Sequence, residues 1–426
     1  MSTTFASLRH PAYRIWFVGA LIANIGTWMQ RIAQDWVVLT DLSDHSGLAV
    51  GIVTALQFLP ALVLSPYAGL LADRLPRKAM LMTTQATMGV LAGVLGILVL
   101  TDVVQLWHVY VFALLLGMAS AMDAPVRQTF VAELVPAEGL PNAVGLNSAS
   151  FNAARLIGPA VAGLAIAAIG AGWVFVVNAG TFAFTIAALL LIKDADRFPL
   201  AHAARAKGQL REGVNYVRRR TDIVLILVVL GVVGALGLNF QLTSAVMATT
   251  VFDKGSAEYG LLGSVLAIGS LAGALLAARR SRPRVRLVLF AALGFGISSG
   301  VMAMAPTYEL YALAAIPVGF CTLTMLTAAN AYVQMSTAPE MRGRVMSLYL
   351  MVFLGTTPLG SPLVGWVAEA WGARWSVGIG AIASIVVALA AMLWARRAWH
   401  VELRYVRSPQ RRVLVLSDAD RIAEAA

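Results

Sequence analysis

Asn24, Trp28, Arg31 and Asp35 are spaced four, three and four residues apart. That spacing puts them on one face of a helix. Charge at the centre of a bilayer costs at least ~2.5–3.5 kcal/mol per residue on insertion. The segment around them, 15–40, is long and apolar enough to cross a bilayer. The charged face must therefore look into the protein, toward a central cavity. Arg31 and Asp35 can pair as i and i+4 neighbours. Asp35 is a carboxylate in the interior of a span, and binding and releasing a proton there would couple proton movement to exchange of a bound molecule. The alternative is a structural salt bridge near one end of the helix.

Other residues inside apolar runs extend this constellation. Asp123 and Arg127 are also i,i+4 neighbours. They read as a functional charge pair or as a static one at the membrane edge. Arg155 precedes Gly158, Pro159 and Gly163. Proline kinks a helix and small residues let helices pack closely. Arg155 could meet Asp123, Asp35 or an anionic substrate. Asn24, Trp28, Asn147, Phe151, Asn239, Asn330 and Tyr332 could line a path, and each is equally readable as a packing contact.

The elements that position these residues follow from composition. Of 426 residues, 59% are hydrophobic and 12% charged. Soluble domains carry about 25% charged residues, so lipid must be the solvent here. The runs 48–72, 79–101, 103–122, 156–192, 223–252, 259–278, 287–308, 310–339, 345–368 and 375–395 contain no Asp, Glu, Lys or Arg. A span needs about 20 residues, so 156–192 must hold two helices, broken near Gly170-Ala171-Gly172. With 15–40 the total is twelve spans.

The net charge of +11 follows the loops and does not mark a nucleic-acid binder. Most Lys and Arg lie at the N-terminus, in alternate loops or in the tail, and Lys254 and Arg374 lie in the opposite loops. This positive-inside bias predicts that both termini face the cytoplasm. The first apolar segment is full length and is expected to stay as helix one, not to be cleaved. The one cysteine, Cys321, excludes a disulfide framework and a thiolate metal cluster.

The chain divides into 1–192, an N-terminal six-helix half; 193–221, a cytoplasmic linker; 222–395, a C-terminal six-helix half; and 396–426, a cytoplasmic tail. The linker stretch 210–220 reads as an amphipathic helix with a basic face on the membrane surface. The tail is polar and basic, and mostly disorder is expected there. The halves repeat each other. At one constant offset Gly117, Glu138, Gly158, Gly163, Gly170 and Trp173 match Gly319, Glu340, Gly360, Gly365, Gly372 and Trp375. A second alignment, of Gly51 with Gly260, sets Phe240 and Ser244 opposite Arg31 and Asp35.

The loop after the second span reads Gly69-Leu-Leu-Ala-Asp73-Arg74-Leu-Pro76-Arg77-Lys78. An acid embedded among three bases beside a glycine is more than a basic loop. It resembles the signature of the major facilitator superfamily, with Pro76 where that signature has its second glycine. The resemblance covers roughly 5–394. It implies an all-α integral membrane protein of twelve helices in two halves, with the path between them at mid-membrane. It also implies that Gly69, Asp73, Arg74 and Arg77 latch the halves in the outward-open state, with Asp123 as a partner. The second half keeps Gly273 and Arg279-Arg280 but has Ala277 where Asp73 stands, so the latch would be one-sided. Arg155, Gly158, Pro159 and Gly163 resemble a shortened antiporter motif of exporters. The stretches 5–14, 26–30 and 123–128 resemble the exporter branch that includes the enterobactin exporter.

The expectation is a secondary active transporter at the cell (inner) membrane, multi-pass, acting as a monomer. It would export a drug-like small molecule or siderophore by proton-coupled alternating access. Its partners would be that substrate, protons and the lipid bilayer, with no nucleic acid, cofactor or metal. No phosphate loop and no nucleophile–base set is present, so neither a primary pump nor an enzyme is expected. An importer or lipid transporter of the same fold, or a non-transporting sensor, are the alternatives.

Overall fold

The computed structural model describes residues 3–193, 197–198, 209–278, 284–338, 340–398, 402–406 and 412–416. Over 3–4, 65–74, 137, 209–211, 278, 398 and the two tail segments it describes the backbone alone. Six helices form the first half: α1 (Pro11–Val37), α2 (Gly47–Arg74), α3 (Arg77–Leu100), α4 (Leu106–Val131), α5 (Leu140–Ile169) and α6 (Ala171–Leu191). A short helix, α7 (Gln209–Arg219), leads into the second half. That half holds α8 (Thr221–Leu236), α9 (Phe240–Val246), α10 (Ser256–Ala278), α11 (Val285–Ala303), α12 (Tyr308–Ser336), α13 (Arg342–Gly355), α14 (Thr357–Trp371) and α15 (Ala373–Ala398). The start of α1 and the end of α15 lie at one end of the bundle, here the near end. The turns after α1, α3, α5, α9, α11 and α14 lie at the far end.

Eleven stretches of the described residues are long and apolar enough to cross a membrane. Helix α1 is the twelfth span. Its 27 residues are diluted by Asn24, Gln30, Arg31, Gln34 and Asp35, and it packs along α5 and α6. Two spans are each made of two helices, α8 with α9 and α13 with α14. Both breaks sit at mid-span. Gly237, Leu238 and Asn239 at one break and Thr357 beside the other line a central cavity. Non-helical backbone at membrane depth is tolerated only where protein or a cavity covers it.

The internal repeat has a physical content. Gly170 and Gly372 both take positive φ, 84° and 97°, and each ends one span and starts the next. With ψ of 157° at both, this region is essentially glycine-only. Gly372→Ala is expected to cost about 1–3 kcal/mol, read as a lower midpoint of thermal unfolding in detergent. The other matched glycines sit where backbones touch. A Cβ at Gly117 would lie 2.5 Å from the Gln57 carbonyl of α2, and one at Gly319 would strike the Leu266 carbonyl of α10.

Two peripheral segments add detail. Helix α7 docks on α13: Arg344 pairs with Glu212, and the Ala338 amide donates to the Tyr216 hydroxyl. In the tail, expected to be mostly disordered, the strands β1 (Glu402–Val406) and β2 (Arg412–Leu416) pair antiparallel, with Tyr405 opposite Val413. Alternating Val and Leu in Arg412–Leu416 favour extended backbone.

Candidate functional site

A cavity of about 350 Å³ lies between the halves. Trp28, Arg31, Phe58, Phe151 and Arg155 form its first-half wall. Asn239, Phe240, Gln241, Phe295, Thr322 and Phe353 belong to the opposite wall. The α1 stripe thus faces the cavity at Trp28 and Arg31, as its spacing predicts. The Arg31 guanidinium lies 4.9 Å from the Trp28 ring centre and 5.2 Å from that of Phe58. Arg155 approaches Trp28 from α5, at 5.8 Å. Phe151 meets Trp28 edge-on at 6.0 Å. Gly158 is what lets α5 come this close: a Cβ there would lie 2.6 Å from the Trp28 Cβ.

Asp35 departs from the expected pairing. Among the described residues no ion pair joins it to Arg31. Its carboxylate instead accepts a hydrogen bond of 3.2 Å from the hydroxyl of Tyr259 on α10, in the other half. Tyr259 also stacks on Trp36, with centroids 6.3 Å apart. Helical spacing allows an i,i+4 contact but does not compel it. Here Arg31 is held by two aromatic faces, and Asp35 lies one turn further toward the far end, 5% exposed.

Contacts between the halves cluster at that far end. Ser264 donates to the Leu156 carbonyl at 2.7 Å and Ser256 to that of Gly163 at 3.2 Å, joining α10 to α5. A Cβ at Gly163 would collide with the Ser256 carbonyl and one at Gly260 with that of Pro159. The repeat supplies the symmetric contact. Ser361 donates to the Gly51 carbonyl at 3.0 Å, and Gly365 abuts Gly47, joining α14 to α2. Ser46 and the Leu48 amide both bond Glu369. The cavity is therefore sealed at the far end, with Asp35 inside the seal. It opens toward the near end, where Phe151 is 48% exposed. The kink residues Pro159 and Gly163 are packing residues of this seal.

A family model described as transmembrane secretion effector, of the major facilitator type, matches residues 2–415. The chain belongs to the major facilitator superfamily. The multidrug efflux pump Tap of Mycolicibacterium fortuitum is 30% identical over 85% of this transporter and 90% of Tap. The staphyloferrin A transporter of Staphylococcus aureus (strain NCTC 8325 / PS 47) is 24% identical over 88% of this chain and 94% of its own. The enterobactin exporter EntS of Shigella boydii serotype 18 is 24% identical over 84% and 85%. In fold, the chain is similar to an inward-facing bacterial homologue of the lysosomal transporter Spinster, with a TM-score of 0.69 at 15% identity over 91% of this chain and 97% of that one. It is likewise similar to a D-xylose–proton symporter, with a TM-score of 0.69 at 14% identity over 89% and 96%.

The near end of the transporter holds buried charge networks. Gly69, Asp73 and Arg74 fall in the stretch described by backbone alone, and Arg279 and Arg280 lie outside the described residues. Arg77 does not reach Asp123. It pairs with Glu133 at the end of α4, which Arg197 also engages. Asp123 is taken up by Thr84 at 2.8 Å, Gln85 at 2.9 Å and Arg127 at 2.7 Å. Asn24 belongs to this cluster through Arg127, at 3.3 Å, and is absent from the cavity lining. Glu133 lay unnoticed because it stands beyond the apolar run. Its signal was an acid on the side of the basic loops. Breaking a buried ion pair from one side costs about 3–5 kcal/mol. Glu133→Gln, which takes the shared carboxylate from two cations, is expected to lower the unfolding midpoint in detergent by that stability.

The remaining candidates separate. Asn239 lines the cavity, donating to the Ala235 carbonyl at 2.7 Å. Tyr332 does not line it: its hydroxyl donates to Asp222 at 2.8 Å, beside an Arg220–Asp222 ion pair that also holds the Ser336 carbonyl. Asn330 accepts from Gln334, and Asn147 is half-buried; neither is in the lining. Tyr259 was missed because a tyrosine at the start of an apolar run carries no charge signal.

Proposed function

We propose that this transporter is a proton-coupled exporter of a drug-like small molecule or siderophore, working by alternating access. The observation that carries the reading is a cavity between the halves, sealed on one side, with a carboxylate buried inside the seal. A site that alternates needs a gate on each side and an element with two arrangements. The glycine contacts of α5 with α10 and of α2 with α14 form one gate and would part as the halves rock. Asp35 is the proton carrier, held in the closed gate by Tyr259, and Arg31 faces the substrate beside it. Arg77, Asp73, Arg74 and Gly69 form the latch that joins the halves at the near end when the far gate opens. Asp123 and Arg127 brace α3 against α4 behind it.

The export direction draws on the drug and siderophore transporters among the relatives, together with the Pro159 and Gly163 kink. Loop charge supports a multi-pass protein of the inner membrane with both termini in the cytoplasm. The present arrangement would then be inward-facing, and the protein would act as a monomer. The test is reconstitution in vesicles with the near end outward and an imposed proton gradient. Gradient-driven uptake of a substrate with matching proton efflux is expected. Proton movement that ignores every substrate tried counts against the reading.

A further inference from the structure

We infer that the cavity selects an organic anion with a flat apolar body, its acidic group held between Arg31 and Arg155. This rests on reading the cavity as the substrate path. It adds a charge and a shape that drug-like export leaves open.

Arg31 and Arg155 are the charged residues of the cavity lining among those described, and no Asp or Glu lines it. The nearby carboxylate, Asp35, is turned into the far-end seal and bound to Tyr259. No ion pair to a carboxylate is made by either arginine among the described residues. Their neighbours are rings: Trp28 lies between them, at 4.9 Å from Arg31 and 5.8 Å from Arg155, and Phe58 lies 5.2 Å from Arg31. An aromatic face attracts a cation but accepts no hydrogen bond in the plane of the guanidinium. The forks stay free to donate, and a fork is shaped for a carboxylate or similar acid. Two like charges facing one apolar space repel each other and any third cation. An incoming anion relieves both costs.

The shape argument comes from the walls. Phe151 meets Trp28 edge-on, and Phe240, Phe295 and Phe353 face them across the cavity. Aromatic walls favour a flat apolar body by stacking. In the second-half wall the Asn239 Oδ1 and the Gln241 Nε2 are buried without partners. Buried polar atoms usually have a partner, so these two offer an acceptor and a donor to polar groups on the body's far side.

The experiment uses the full chain in nanodiscs of zwitterionic lipid and three probes of one shape: 2-naphthoate, its neutral amide 2-naphthamide, and 2-naphthylmethylammonium. The naphthoate is expected to bind about tenfold or more tighter than the amide, the gain of a charge-assisted hydrogen bond. The ammonium is expected to bind weakest. Arg31→Gln and Arg155→Gln each remove about that tenfold for the naphthoate and weaken the amide by less, since a neutral carbonyl gains less from a charged donor. Arg31→Lys and Arg155→Lys keep the order of the three. The ranking on the unmodified chain decides alone if a variant fails to fold. No binding of the naphthoate, or an ammonium that binds as tightly, overturns the inference. Gradient-driven movement of the same probes separates it from the export reading. Movement of the ammonium and not the naphthoate leaves export standing and overturns the anion site. Naphthoate that binds but is not moved supports the site and counts against export.

Discussion

Replacing Asp35 by asparagine is expected to abolish gradient-driven accumulation while retaining exchange. The amide is nearly isosteric with the carboxylate and still accepts the bond from Tyr259, 3.2 Å long in the wild type, so the seal should form. What the variant loses is a site that gains and loses a proton. Uptake against a concentration gradient needs that proton cycle. Counterflow, in which labelled substrate outside exchanges for unlabelled substrate inside, needs only the two gates. Gradient-driven accumulation should fall to that of protein-free vesicles, while counterflow, slowed by the bias toward the sealed state, should remain above that of protein-free vesicles. Accumulation that persists at wild-type level removes Asp35 as the proton carrier. Loss of both activities in a folded protein would make Asp35 a structural part of the gate.

The second large effect is expected at the glycine contacts. Gly163 and Gly260 face each other across the halves, and any Cβ there meets backbone, which cannot rotate away. Overpacking a close contact costs about 1–3 kcal/mol. That cost falls only on the state in which the far end is closed, since the contact parts when it opens. The ratio of closed to open should therefore drop by roughly 5–150-fold in Gly163→Val or Gly260→Val. Spin labels on exposed sites of the far-end turns, at Asp41 and Thr250 after Cys321→Ser, read the two populations as distances. An unchanged distribution would mean that the α5–α10 contact is not part of a moving gate. Gly47→Val and Gly51→Val should act alike, because α2 meets α14 through the symmetric contact.

Much of this architecture is legible in the chain because lipid imposes it. Apolar runs give the spans, the break at Gly170 is legible from the length of its run, and Gly158 and Gly163 read as close-packing positions; the structure adds the positive φ that Gly170 shares with Gly372. The cavity face of α1 is legible at Trp28 and Arg31 because a charge cannot face lipid. Pairing is less legible. Helical spacing allows Asp35 to pair with Arg31, and the family resemblance implies Asp123 as a partner of the latch that includes Arg77. The structure pairs Asp35 with Tyr259 and Arg77 with Glu133, across helices whose mutual rotation no linear spacing encodes. Tyr332, readable as path lining or as a packing contact, serves the Arg220–Asp222 pair at the near end. The breaks beside Gly237 and Thr357 also escaped hydrophobicity, which runs unbroken through both. Gly234, Gly237 and Pro358 mark them only once a cavity is known to lie there.

In the proposed mechanism a proton at Asp35 sets which side of the cavity is open. An ionised carboxylate is costly to bury, and proton binding removes the charge. The protonated form should favour the sealed far end, and the deprotonated form the open one. The direct measurement is the distance between labels at positions 41 and 250 as pH is varied, in the wild type and in Asp35→Asn. The account predicts that the short-distance population grows as pH falls in the wild type and stays high at every pH in Asp35→Asn. An Asp35→Asn protein that keeps the wild-type pH response would contradict it.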